Sequence, residues 1–141
     1  MTLRDGTAMA VNVAAAATSP TTAGVTIYGA QNKDVISLGA GKDLVYLGVG
    51  ETLKGGSGAA TVHVTTDTAG NSISGGTGSM ALVVDGGGDV ILGKAVTKAS
   101  TVTLATTTNF TANALAGMKI TGSAAGGDHI TLGAATQRRC V

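Results

Sequence analysis

Seven Asp, one Glu and two His make up the acid–base side chains of this sequence. Paired carboxylates are the equipment of glycoside and lyase chemistry. Here the Asp residues fall mostly in glycine-flanked stretches, where turns are expected. The outward strand places between them carry Thr, Ser, Val and Leu. That distribution argues against a catalytic pair, and the chain reads as a non-enzyme. His63 and His129 each stand beside an aliphatic residue, on the outward side of an expected strand. They are candidates for metal ligation or proton transfer, but histidines so placed are more often plain surface residues. Two phosphate motifs also fail. Gly41-Lys42-Asp43 lacks both the first glycine and the following Ser or Thr of a phosphate loop. Gly76-Thr77-Gly78-Ser79-Met80-Ala81 has dinucleotide spacing but runs into Leu82-Val83-Val84, a strand where a helix is required. No catalytic or cofactor-binding residue emerges.

The elements that would hold these residues are repetitive. Gly29 to Ser37 and Leu38 to Tyr46 are tandem nine-residue units, each with Asp at the sixth place and an aliphatic residue at the eighth. The eighth places continue as Ile36, Val45, Leu53, Val62, Ile73, Leu82 and Ile91. A second aliphatic often follows two residues later, as at Leu38, Leu47, Val64 and Val84. Strand side chains alternate between faces, so each pair points one way, into a core. Glycine clusters between the pairs supply turns. Two units make a coil of about 18 residues, and stacked coils make a parallel β-solenoid. An antiparallel meander is the competing arrangement, but Asp85-Gly86 is almost its only hairpin signal.

Composition agrees. The 141 residues include 23 Gly, one Phe, two Tyr and no Trp, so the core must be thin and aliphatic. The fold class expected is all-β, a parallel β-roll or β-solenoid. Residues 1–24 read as an N-terminal lead-in or cap, and residues 25–141 as a single solenoid domain. An irregular insertion is expected near residues 94–120, where the repeat lapses. Within it, Ser100 to Ala105 reads as a strand, and Asn109 to Met118 as a short helical turn with Phe110, Leu115 and Met118 apolar. Asn109-Phe110-Thr111 is formally a glycosylation triplet, discounted because such triplets are common. The repeat returns at Asp128-His129-Ile130. A net charge of +1 offers no basic stripe for nucleic acid. The Ala run from Ala8 to Ala17 is too short and mild for a membrane span. Cys140 stands alone, so no internal disulfide is expected.

The unit Gly-Gly-x-Gly-x-Asp-x-U-x, with U aliphatic, resembles the RTX (repeats-in-toxin) calcium-binding nonapeptide. Leu38 to Tyr46 is similar to it at Gly39, Gly41, Asp43 and Val45. Gly55 to His63 and Gly75 to Val83 keep the glycines but put Ala60 and Met80 in the Asp place. The resemblance covers about half the chain. It implies a β-roll from a secreted or cell-surface bacterial protein, with Ca²⁺ as cofactor, bound by turn carbonyls and by Asp residues one coil apart. Calcium takes about six to eight oxygen ligands. At a spacing of 18, Asp34 faces Thr52 and Asp43 faces Thr61, whereas Asp89 faces Asn71. The metal residues this implies are Asn71 and Asp89 as one site, with Asp34, Asp43 and Asp128 as half-sites. The alternative is a metal-free solenoid whose Asp side chains cap turns through hydrogen bonds to backbone.

The role expected is structural or adhesive: a repeat segment of a secreted or surface bacterial protein such as an adhesin or surface layer, calcium-stabilised and self-assembling. A phage or virus fibre subunit and an accessory module of a carbohydrate-active enzyme are the alternatives, the latter with carbohydrate as ligand. The coil assignment sets Leu44, Tyr46, Val83, Val90 and Leu92 outward. A contiguous apolar patch there would mark packing against another copy or the rest of a longer protein.

Overall fold

The computed structural model describes residues 2, 8–13, 23–29, 33–65, 71–92, 96–112 and 118–132. Among them there is no helix; fourteen strands wind into a parallel β-solenoid. One sheet stacks β1 (Ala10–Asn12), β3 (Val35–Ser37), β5 (Thr52–Lys54), β7 (Ser72–Ser74) and β10 (Val96–Thr97). The second stacks β2 (Ala23–Tyr28), β4 (Lys42–Tyr46), β6 (Ala60–Val64), β8 (Met80–Val84), β11 (Thr101–Leu104) and β13 (Lys119–Thr121). A third face opens late, from β9 (Gly88–Leu92), β12 (Thr108–Ala112) and β14 (His129–Leu132). The chain therefore begins as a two-sided coil and becomes three-sided beyond β8.

The alternating aliphatic places explain the core. Ile36, Val45, Leu53, Val62, Ile73 and Leu82 are fully buried, and Leu38, Leu47, Val64 and Val84 are buried beside them. Each coil lays its aliphatic residue on its neighbour's: Val45 pairs with Val62, Val62 with Leu82, and Leu82 with Val102. Burying one such side chain contributes about 1.5–3 kcal/mol, and a stacked row repeats that gain in every coil. The turns impose a different demand. A Cβ on Gly76 would collide with the carbonyl oxygen of Gly56 one coil away, so close stacking of the turns requires a bare backbone.

Three expectations change. The first concerns residues 94–120. Where described, this segment continues the coil as β10, β11, β12 and β13, and β11 is the expected strand, with Val102 and Leu104 buried. The second is the helix at Asn109–Met118. Its first residues instead form β12, paired with β9 and β14, and Phe110 is fully buried against the core; Leu115 lies outside the described residues. Pairing on both sides satisfies the backbone of β12 and overrides the helical spacing of the apolar residues. The third is Val90, expected outside and found fully buried. Gly88 takes a φ of 84°, which turns the chain into the third sheet and places Val90 in register with Phe110. Leu44, Tyr46 and Val83 do lie half-exposed on the outer face of the second sheet; the Leu92 side chain is outside what is described.

Candidate functional site

The polar residues singled out above are used in two ways, inside the coil and on its outer faces. The inside set is a row on the first sheet. Val35 pairs with Thr52 and Thr52 with Ser72, so the residues just before them, Asp34, Glu51 and Asn71, stand one above another. All three are buried, Asp34 and Glu51 completely. The coil here is 17 residues long, because Ile36 pairs with Leu53. Asp34 therefore faces Glu51, and Thr52 is one place along. The fixed spacing of 18 concealed Glu51; counting two residues back from each aliphatic eighth place finds it.

Each member of the row binds backbone. Asp34 Oδ1 accepts the Met9 N–H at 2.7 Å. Glu51 Oε2 accepts the Gly48 N–H at 2.8 Å. Asn71 Oδ1 accepts the Glu51 N–H at 2.9 Å, while its Nδ2 donates to the Gly48 carbonyl at 2.9 Å. Asn71 thus ties two backbone groups of the preceding coil at once. Asp34 Oδ2 is buried and has no hydrogen-bond partner. A buried carboxylate oxygen left in this way is costly unless a cation or donor reaches it.

The equivalent row on the second sheet carries one oxygen-bearing side chain. It runs Asp43, Ala60, Met80, with Asp43 paired to Ala60 and Ala60 to Met80. Asp43 is buried and Oδ1 accepts the Val25 N–H at 3.0 Å, again across one coil.

Asn71 and Asp89 are not brought together. Asn71 precedes β7 on the first sheet, whereas Asp89 lies exposed in β9 on the third. There Asp89 Oδ1 accepts the Asn109 Nδ2–H at 2.8 Å, and His129 follows Asn109 in register. Asp128 precedes β14. Its Oδ1 accepts the Thr108 N–H at 2.9 Å and its Oδ2 the Ser123 N–H at 2.6 Å, with the Ser123 hydroxyl at 3.2 Å from Oδ1. Desolvation pushes this carboxyl upward, but the hydrogen bonds from Ser123 and Thr108 outweigh it and hold it below the usual carboxylate range. Among the described residues, no three His, Cys, Asp or Glu side chains gather into a metal-binding group.

The outer face of the second sheet carries a different arrangement. Tyr28, Tyr46 and His63 occupy one register row on β2, β4 and β6. Their rings stack, Tyr28 on Tyr46 at 4.8 Å and Tyr46 on His63 at 4.5 Å between centroids. His63 Nδ1 also meets Asp85 Oδ2 at 2.6 Å. Tyr46, in the middle of the row, has both ring faces covered by its neighbours, whereas Tyr28 is exposed at the end of the row. No helix among the described residues is long and apolar enough to cross a membrane.

No protein-family model, curated protein or solved structure matches the chain.

Proposed function

We propose that this chain is a structural β-solenoid segment, a repeat module of a secreted or cell-surface bacterial protein, adhesive or self-assembling in role. One observation carries the reading. Asp34, Asp43, Asn71 and Asp128, the polar residues best placed for chemistry, bind backbone N–H groups of neighbouring coils. Side chains committed to holding coil on coil serve rigidity and length, which is what a shaft or lattice element requires. Sedimentation velocity over a wide concentration range tests it. Growth of end-to-end or lateral assemblies with concentration is expected, and a strict monomer at the highest concentration refutes the self-assembling role.

Calcium stabilisation is a second reading, favoured by the unpartnered Asp34 Oδ2. The first-sheet row fits a hard cation in kind, since Asp34, Glu51 and Asn71 all bear oxygen donors within successive coils. Asp43, Ala60 and Met80 do not fit, having one donor among three. A bound Ca²⁺ would supply charge neutralisation to the buried carboxylates and no reaction. Circular dichroism with millimolar Ca²⁺ checks this reading: a higher melting temperature supports it, and an unchanged melt discards it.

A further inference from the structure

We infer that His63 and Asp85 form a pH-sensitive clasp at the corner where the two-sided coil becomes three-sided. Asp85 is the first residue after β8, and three residues later Gly88 begins the strand that opens the third sheet. The backbone at this corner is held on both sides. Asp85 N–H donates to the Val64 carbonyl at 3.0 Å, and the Thr106 hydroxyl donates to the Asp85 carbonyl at 3.4 Å. The side chain reaches sideways across the sheet to His63, 22 residues earlier, at 2.6 Å.

The surroundings of His63 make Asp85 the charge that its protonation state addresses. From β4 it faces Tyr46, stacked on the ring, with Tyr28 of β2 behind it. From β8 its register neighbour is Val83, and Thr61 shares its own strand's outer face. Among these only Asp85 is anionic. A neutral imidazole gives one hydrogen bond; an imidazolium adds an ion pair to it and a cation over the Tyr46 face. The side chains are 21% and 39% exposed, so water screens the pair and the gain is modest. The imidazolium form tightens the clasp and the neutral form relaxes it.

Amide hydrogen exchange on the whole chain tests this, comparing wild type with His63→Gln at about pH 5.5 and about pH 8.5. Gln keeps a donor for Asp85 without the charge, and peptides spanning residues 83–92 have the same intrinsic exchange in both proteins. At the lower pH the corner of the variant should exchange about twofold to fivefold faster than wild type, and at the higher pH the ratio should fall towards one. Asp85→Asn should remove the same pH difference. An equal ratio at both pH values overturns the clasp. So does a change of the same size in peptides covering β3 to β5, which would mean general destabilisation.

Discussion

Asp34 and Glu51 occupy the same inward place on successive coils, each directly before a strand residue that pairs with the other's, Val35 with Thr52. Strands in one sheet lie about 4.8 Å apart, so this register sets two fully buried acidic residues on adjacent strands of a thin core. Asn71, next in the row, has no charge and satisfies two backbone groups. This gives the first prediction. Asp34→Asn retains an oxygen for the Met9 N–H and removes one charge from the pair. Without calcium its melting temperature should equal or exceed that of wild type. With millimolar calcium, wild type should rise and Asp34→Asn should not. A calcium response that survives in the variant would place any bound ion away from this row.

A second prediction concerns the neutral member of that row. Asn71→Ala strips the partner from the Glu51 N–H and from the Gly48 carbonyl together, and each unsatisfied buried group costs about 1–3 kcal/mol. Urea denaturation should show a loss of at least about 2 kcal/mol. Asn109→Ala, which removes an exposed hydrogen bond to Asp89, should lie within about 0.5 kcal/mol of wild type.

Much of this architecture is legible in the residues, and the exceptions have physical causes. Ile36, Val45, Leu53, Val62, Ile73 and Leu82 announce themselves because strand alternation and the glycine-marked turns give the same frame. Glu51 escapes a count at fixed distance because repeats tolerate a coil one residue short, which keeps the aliphatic row in register. Val90 departs from the outward place its alternation predicts because a backbone turn at Gly88 changes the frame, and nothing in the local side-chain pattern signals a third sheet. Phe110 sits where apolar spacing suits a helix. Its pairing with Val90 on one side and Ile130 on the other decides for strand, and those partners are 20 residues away in each direction. The stacked Tyr28, Tyr46 and His63 could be placed outward but not joined to Asp85, which depends on the corner after β8.

The turns supply a third prediction. Gly76→Ala would put a Cβ into the Gly56 carbonyl, where only backbone movement relieves the clash. Overpacking of this kind costs about 1–3 kcal/mol. Gly50→Ala is the matched comparison: its Cβ would meet nothing within 4 Å, but its φ of 76° is left-handed. That strain alone costs about 1–2 kcal/mol, so both variants should be weaker than wild type for different reasons. Replacing Gly50 by Asn, which tolerates the left-handed region, should recover much of the Ala deficit, while Asn at position 76 should not. Chemical denaturation of the four variants checks the separation.

Asp128 gives the prediction with a defined direction in pH. In the folded chain desolvation pushes its carboxyl upward, but hydrogen bonds from Ser123 and Thr108 outweigh that and hold it below the ordinary value of 3.8. A carboxylate with a depressed folded value binds protons more readily when unfolded, so its stabilisation is complete above the unfolded value. It is lost as pH falls below 3.8 and through the lower folded value. Acidification over that window should loosen the attachment of β14 to β12, since Asp128 Oδ1 holds the Thr108 N–H at the start of β12. Exchange of the Thr108 and Ser123 amides, corrected for intrinsic rates, should accelerate there in wild type. Asp128→Asn keeps an acceptor for one amide without a titrating group, so its amides should show no such transition. An identical acid transition in both proteins would assign the effect to another carboxylate.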